Sequence, residues 1–305
     1  MQGKRVVAKS VAVIMVLCLC ASTAPASSHD GMTSLFNPWN PAIMGAEKAL
    51  ERSITVTTTT PHAGAFDGFS SWSVFSDYSF GKNNDKRQGG FDNYFNSYTL
   101  GADALYNNST LWGFLGNYND AHGHSSAGAR DAIETWAYTL YMSQPVNDWM
   151  FWGSSFSYST AGNKVNAAGE IDSDSYVLAP YVTVMTQMDK LTLSLSPSYV
   201  LGYQDVDYPG IGGGDSALMG KMLLMGRASY AVTEKFSVSA NLNYNQVLHN
   251  HALDTEFDND HHWFTTGLNL GYKFTSNLSG SLGYSTEFDS NFDSEIWTVG
   301  LCYAF

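Results

Sequence analysis

The chain ends on Ile296-Trp297-Thr298-Val299-Gly300-Leu301-Cys302-Tyr303-Ala304-Phe305, a stretch that alternates without a break. In an extended strand Trp297, Val299, Leu301, Tyr303 and Phe305 share one face, and Thr298, Gly300, Cys302 and Ala304 share the other. A strand with one oily and one small or polar face, ending the chain on an aromatic, reads as the closing strand of an outer-membrane β-barrel. A soluble β-sandwich can also end on an amphipathic strand. The remaining residues decide between the two.

Lys4, Arg5 and Lys9 precede the apolar run Val11 to Cys20, and small residues follow up to Ala24-Pro25-Ala26. That is the plan of a secretory signal peptide over residues 1–26. A lipid anchor at Cys18 or Cys20 is disfavoured, because Leu17 and Leu19 stand where a small residue is wanted. Signal removal leaves Cys302 as the sole thiol, so neither an intramolecular disulfide nor a cysteine metal site can form. Beyond the signal there is no run of about 18 apolar residues, which excludes a helical membrane span.

Composition agrees with a barrel: Gly 28, Tyr 18, Phe 17 and Trp 8, with only 14% charged residues. Aromatic interfaces and a small, hydroxyl-rich interior produce that balance. The signal carries three of the 15 basic residues, which leaves twelve against 28 acids, a net charge of −16. Nucleic acid is disfavoured as a partner, because its phosphates demand clustered Lys and Arg.

From about Asp67 the chain divides at period two into about twelve segments of roughly ten residues, enough for a tilted strand to cross a bilayer. Phe236, Val238, Ala240, Leu242 and Tyr244 oppose Ser237, Ser239, Asn241, Asn243 and Asn245; similar faces recur at Leu191 to Leu201 and Leu278 to Ser285. Short turns at Asn107-Asn108-Ser109, Pro145 to Asp148, Met188-Asp189-Lys190, Thr233-Glu234-Lys235 and Thr275-Ser276-Asn277 alternate with longer stretches. Those run Gly81 to Asp92, Asn119 to Asp131, Ala161 to Ser175, Gln204 to Ser216, Leu248 to His262 and Glu287 to Ser294. Short periplasmic turns and long external loops mark a membrane barrel, and both ends of residues 67–305 then face the periplasm. The same orientation puts Tyr78, Tyr118, Tyr158, Tyr203, Tyr244 and Tyr284 at the outer interface. Tyr106, Tyr230, Tyr272, Tyr303 and Phe305 fall at the inner one.

Residues 27–66 differ. Asn40 followed by Pro41 opens a helix over Ala42 to Arg52 with Ile43, Ala46, Ala49 and Leu50 on one stripe. The polar run Ser53 to Thr60 then leads to the first strand. Such a helix can plug the lumen or lie outside it. Ile54 to Thr60 can alternatively be read as an extra strand.

From about residue 67 to 305 the chain resembles the β-barrel translocator domain of autotransporters, the type V secretion family. The resemblance rests on Thr99-Leu100-Gly101-Ala102-Asp103, on Leu111-Trp112-Gly113-Phe114-Leu115-Gly116-Asn117-Tyr118, on Gly271-Tyr272 and Gly283-Tyr284, and on Leu301-Cys302-Tyr303-Ala304-Phe305. It implies twelve antiparallel strands, an aqueous lumen occupied by an N-terminal helix, and outer-membrane lipid as surroundings. It also implies insertion by the barrel assembly machinery, with Trp297, Val299, Leu301, Tyr303 and Phe305 as the assembly signal. The departure is upstream. Only about 40 residues separate the signal from the first strand, too few for a domain-sized passenger. The expectation is therefore a non-enzymatic outer-membrane barrel of this type, with a small-solute channel or an outer-membrane hydrolase as the alternatives.

By strand parity Asp77, Asp103, Lys221, Arg227 and Lys273 point into the lumen, where charge can line a channel or hold a plug. His122 and His124 fall in one external stretch, and His249, His251, His261 and His262 in another that carries Asp254, Glu256, Asp258 and Asp260. Imidazole with carboxylate can bind a divalent transition metal such as Zn²⁺, so the second group is a candidate metal site; a hydrated acidic loop is the plainer reading. Gly214-Asp215-Ser216-Ala217-Leu218 matches the nucleophile block of an esterase family, but it joins a Gly-rich stretch to a strand where that chemistry needs an α/β context. No catalytic residue is singled out, and no cofactor is expected.

Overall fold

The computed structural model describes residues 41–59, 69–85, 91–107, 109–125, 130–165, 169–207, 214–252, 262–288 and 292–305. The signal peptide expected over residues 1–26 and the linker after Thr59 lie outside the described residues. Twelve strands follow one helix, α1 (Pro41–Thr59). They are β1 (Phe69–Asp85), β2 (Phe91–Tyr106), β3 (Thr110–Ser125), β4 (Arg130–Asn147), β5 (Met150–Val165) and β6 (Gly169–Met188). The second half comprises β7 (Leu191–Asp207), β8 (Gly214–Ala231), β9 (Phe236–Ala252), β10 (His262–Lys273), β11 (Leu278–Phe288) and β12 (Phe292–Ala304). Each strand pairs with its sequence neighbours, and β1 pairs antiparallel with β12, from Ser73 opposite Ala304 to Asp85 opposite Phe292. The sheet closes on itself. Closure removes the edges that lipid could not hydrogen-bond.

The alternation in the terminal stretch decides what this wall shows to its surroundings. Trp297, Val299, Leu301, Tyr303 and Phe305 stand exposed outside, while Gly300 is buried and Cys302 half-buried within. The same division holds around the barrel: Leu100, Phe114, Leu140, Phe156, Leu178 and Leu268 face out, and Ser, Thr and Asn dominate the inner rows. An oily exterior around a polar interior is the membrane-barrel arrangement.

The outer girdle is denser than one ring per upward strand. Tyr78 meets Tyr98 at 5.0 Å, Tyr98 meets Tyr118 at 6.3 Å, and Tyr118 meets Trp136 at 4.7 Å between centroids. Tyr158, Tyr176 and Tyr203 continue the row, and Tyr244 with Phe264 and Tyr284 with Trp297 extend it. The downward strands β2, β4, β6, β10 and β12 contribute rings at the same level. At the other end Tyr272 packs on Phe274, and Tyr303 on Phe305.

Strands run 11 to 20 residues, longer than the ten expected. Much of what reads as long loop is strand: β3 continues to Ser125 and β4 resumes at Arg130. Apolar alternation marks only the part of a strand that lipid surrounds, and backbone pairing continues into water where polar side chains carry no penalty. The short turns fall close to where they are expected, except that β4 continues through Pro145 to Asn147 and leaves residues 148 and 149 as its turn. Asn107 (φ 49°) and Asp189 (φ 52°), in two of the other turns, occupy the left-handed region, which Asn and Asp tolerate better than most residues.

The helix also exceeds its expected end. It continues past Arg52 to Thr59, so the polar run is helical and Ile54 to Thr60 is not an extra strand. β-Branched residues cost only a few tenths of a kcal/mol each in a helix, and packing of buried Ser53 and Ile54 offsets that.

Candidate functional site

The helix lies inside the barrel. Glu47 reaches Lys221 on β8 at 3.1 Å, Glu51 reaches Arg227 further along β8 at 3.6 Å, and Arg52 reaches Asp103 near the turn end of β2 at 2.6 Å. α1 therefore runs from the loop end of the lumen towards the turn end. Its C-terminus points to the side on which β1 begins.

One face of the helix is dry. Ala42, Ile43, Ala46, Leu50 and Ile54 pack against Phe151, Val177, Ala179, Tyr181, Val200, Met219 and Leu223 of β5 to β8. Ala49 joins Phe75, Leu105, Leu111, Leu115 and Tyr141 on the adjoining arc. Full burial of an Ile or Leu side chain is worth about 1.5–3 kcal/mol, so this stripe supplies most of the adhesion.

Asp103 is the polar anchor, 3% exposed. It accepts from Arg52 Nε at 2.9 Å and Nη2 at 2.6 Å, from Tyr141 Oη at 2.9 Å, and from Ser73 Oγ. Arg52 also donates to Ser73 Oγ at 2.9 Å, contacts Cys302 Sγ at 3.8 Å, and lies 4.2 Å over the Phe75 ring. A buried ion pair holds only when its remaining donors and acceptors are met, and here they are. Gly113 faces Tyr141 across β3 and β4, and a Cβ there would collide with the ring. Gly101 lies under the Phe75 ring in the same way. The two glycines of the sequence motifs thus let two aromatic rings lie flat enough to reach the Arg52–Asp103 pair.

The opposite face of the helix is wet. A cavity of about 510 Å³ towards the turn end and one of about 260 Å³ above it lie between α1 and the arc from β8 through β12 to β1 and β2. Serine, threonine and asparagine side chains line both. Lys48 pairs with Asp77 at 2.9 Å and with Glu51 at 3.3 Å.

The five lumen charges expected from parity fall into three settings. Asp103 and Lys221 are buried, Asp77 and Arg227 lie part-way along the wet side, and Lys273 is exposed at the mouth of the larger cavity. Lys221 Nζ also lies 5.4 Å from the Trp263 ring. What the sequence missed was the partner set on the helix: Glu47, Lys48, Glu51 and Arg52. Their spacing of one, three and one residues, which sets them along one side of the helix beside the Ile43–Leu50 stripe, was the available signal.

His249 and His251 lie on β9 in register with Gly220 and Leu218, and His262 opens β10 opposite Gln246. His261 lies outside the described residues. Among the described residues, no three metal-ligating side chains converge. His122 stands on β3 with Asp120 at 3.3 Å. Gly214 to Leu218 forms the start of β8, paired with β7, and leads into no helix.

No protein-family model matches the sequence, and no curated protein matches it either. Solved structures do match the fold. The translocator domain of the autotransporter NalP from Neisseria meningitidis superposes with a TM-score of 0.67 at 16% identity, covering 85% of this chain and 95% of that one. The β domain of the Bordetella autotransporter BrkA gives 0.57 at 10% identity, with 76% and 98% covered. An outer-membrane channel from Pseudomonas putida F1 gives 0.55 at 13%, with 81% and 100% covered. At these identities the shared property is the fold: a closed twelve-stranded barrel like that of autotransporter translocator domains.

Proposed function

We propose that the chain is a non-enzymatic outer-membrane barrel of translocator type whose own N-terminal helix plugs the lumen. The observation that carries this reading is the helix: it threads the barrel from loop end to turn end and is bonded to β1, β2, β8 and the β5–β8 wall. A helix of that polarity sets Pro41 towards the outer end of the lumen and Thr59 towards the periplasmic end, the side on which β1 begins. The dry stripe and the buried Arg52–Asp103 pair together support a helix that stays.

Planar-bilayer recording of the purified mature chain, beside a version lacking residues 27–60, tests the plug. The expected outcome is a small conductance that becomes large on deletion. Equal large conductances would overturn it. An epitope placed just ahead of Pro41 should be accessible to antibody on intact cells; an epitope reachable only after the outer membrane is breached would reverse the assigned polarity.

A further inference from the structure

The two cavities on the wet side adjoin, because Lys48, Glu51, Asp77 and Arg227 line both. The four form one chain of alternating sign. Asp77 on β1 holds Lys48 at 2.9 Å, Lys48 holds Glu51 at 3.3 Å, and Glu51 faces Arg227 on β8 at 3.6 Å. On the wet side β9 to β12 lie between β8 and β1. The charges thus form a bar across the lumen from β1 to β8.

From this we infer that the plugged barrel still conducts small hydrated ions along its wet side, with the Asp77–Lys48–Glu51–Arg227 bar as the constriction that sets their passage. The inference rests on the helix remaining in the lumen, as proposed above. Three further features support it. The upper cavity is lined by polar uncharged side chains, Ser79, Thr99, Asn241, Thr265 and Ser285 among them, which can hydrogen-bond the water around a passing ion. Below the bar, Lys190, Lys235 and Lys273 stand with Asp189 and Glu234 at the mouth of the lower cavity, a hydrophilic entrance of mixed sign.

The third feature is energetic. Side chains in the bar keep 12% to 35% of their surface exposed, whereas the Arg52–Asp103 pair keeps 10% and 2%. Ion pairs beside water are screened by salt more than a dry pair is, so they part and re-form more readily. The anchor does not. One pair fixes the helix, and the bar opens beside it.

Because the bar holds two cations and two anions, it should select weakly, and removing one charge should create a preference of known sign. Arg227→Gln leaves a net negative constriction and should move the reversal potential towards cation selectivity. Asp77→Asn leaves a net positive one and should move it the opposite way. Cys302, the only thiol after signal removal, lines the lower cavity, so it provides a readout that needs no refolded variant. Methanethiosulfonate reagents carrying a sulfonate or a trimethylammonium group form a mixed disulfide there and release methanesulfinate. They should shift the reversal potential in opposite directions, and Cys302→Ser should be insensitive to both.

Bilayer recording across a salt gradient separates the outcomes. A small steady current with opposite shifts in the two variants and with the two reagents is the expected result. A folded intact chain that passes no current would overturn the ion path and leave the plug standing. A current as large as that of the chain lacking residues 27–60 would instead overturn the plug. A small current whose reversal potential ignores all four perturbations would overturn the assignment of the constriction.

Discussion

The two sides of the lumen are built from neighbouring strands of one sheet, yet they treat the helix differently. On the dry side, β3 to β8 present Leu111, Leu115, Phe151, Val177, Val200 and Leu223, and the helix meets them with small and branched apolar residues. On the wet side, β9 to β12 present Ser237, Ser239, Asn241, Asn243, Asn269 and Ser281, and the helix meets them with charge across a gap. Contact requires shape as well as polarity. The dry wall is also where the sheet most needs cover: the β6–β7 ladder omits the pairs around Pro180 and Pro197, which have no N–H to give. There the hydroxyls of Thr183 and Ser196 bond each other at 2.7 Å, and Ser198 donates to the Pro180 carbonyl at 3.0 Å. A helix fixed on one wall and merely bridged to the other is a plug with a seam.

The sharpest way to break this division is to remove the anchor. Asp103→Ala leaves the Arg52 guanidinium buried without its carboxylate and takes an acceptor from Tyr141 and Ser73. Losing one partner of a buried pair costs about 3–5 kcal/mol. The helix should leave its wall, the bilayer conductance should approach that of the chain lacking residues 27–60, and the unfolding midpoint in detergent should fall. If the midpoint and conductance are unchanged, the apolar stripe alone holds the helix.

A smaller effect is expected from crowding the dry contact. An added Cβ at Gly45 would collide with Thr139 Oγ1, whose partner is Ser157 at 2.8 Å, so Gly45→Val must push the helix off β4. Overpacking of this kind costs about 1–3 kcal/mol. The expected signature is a moderate fall in midpoint with a partial rise in conductance. The comparable change on the wet side, Ser281→Val, has room and should leave both unchanged.

Much of this was legible in the residues. The period of two in Phe236 to Asn245 and in the terminal strand gave the wall, its orientation and its inward charges, because lipid and water sort side chains locally along a strand. The motif glycines were visible too, but their reason was not: Gly113 is explained by Tyr141 and Gly101 by Phe75, and those pairings depend on register between strands. The helix end was misread because Ser53 to Thr59 has poor local propensity and is held by tertiary contacts such as Ser53 Oγ with Tyr181 Oη at 2.6 Å. Strand ends were misread for the converse reason, since outside the bilayer nothing forces polar and apolar residues to alternate. The charge bar was legible only in the inward parity of Asp77 and Arg227, since its joining through Lys48 and Glu51 of the helix to β1 and β8 is a tertiary contact.

The smallest effect on stability should come from the bar, and it sharpens the comparison most. Lys48→Gln removes the cation that faces both Asp77 and Glu51, but its side chain is 25% exposed and its pairs stand beside water. These pairs are only part-buried, so the unfolding midpoint should fall less than it does for Asp103→Ala, whose carboxylate side chain is 2% exposed. Selectivity should move clearly, towards cations, since two carboxylates then face one guanidinium. Raising ionic strength from about 0.1 M to 1 M shortens the screening length from about 10 Å to 3 Å and should erase most of that shift. The loss caused by Asp103→Ala should persist under the same salt, because its charge is out of reach of mobile ions. A Lys48→Gln barrel as destabilised as the Asp103→Ala one would mean that the two sides of the lumen share a single, undivided grip on the helix.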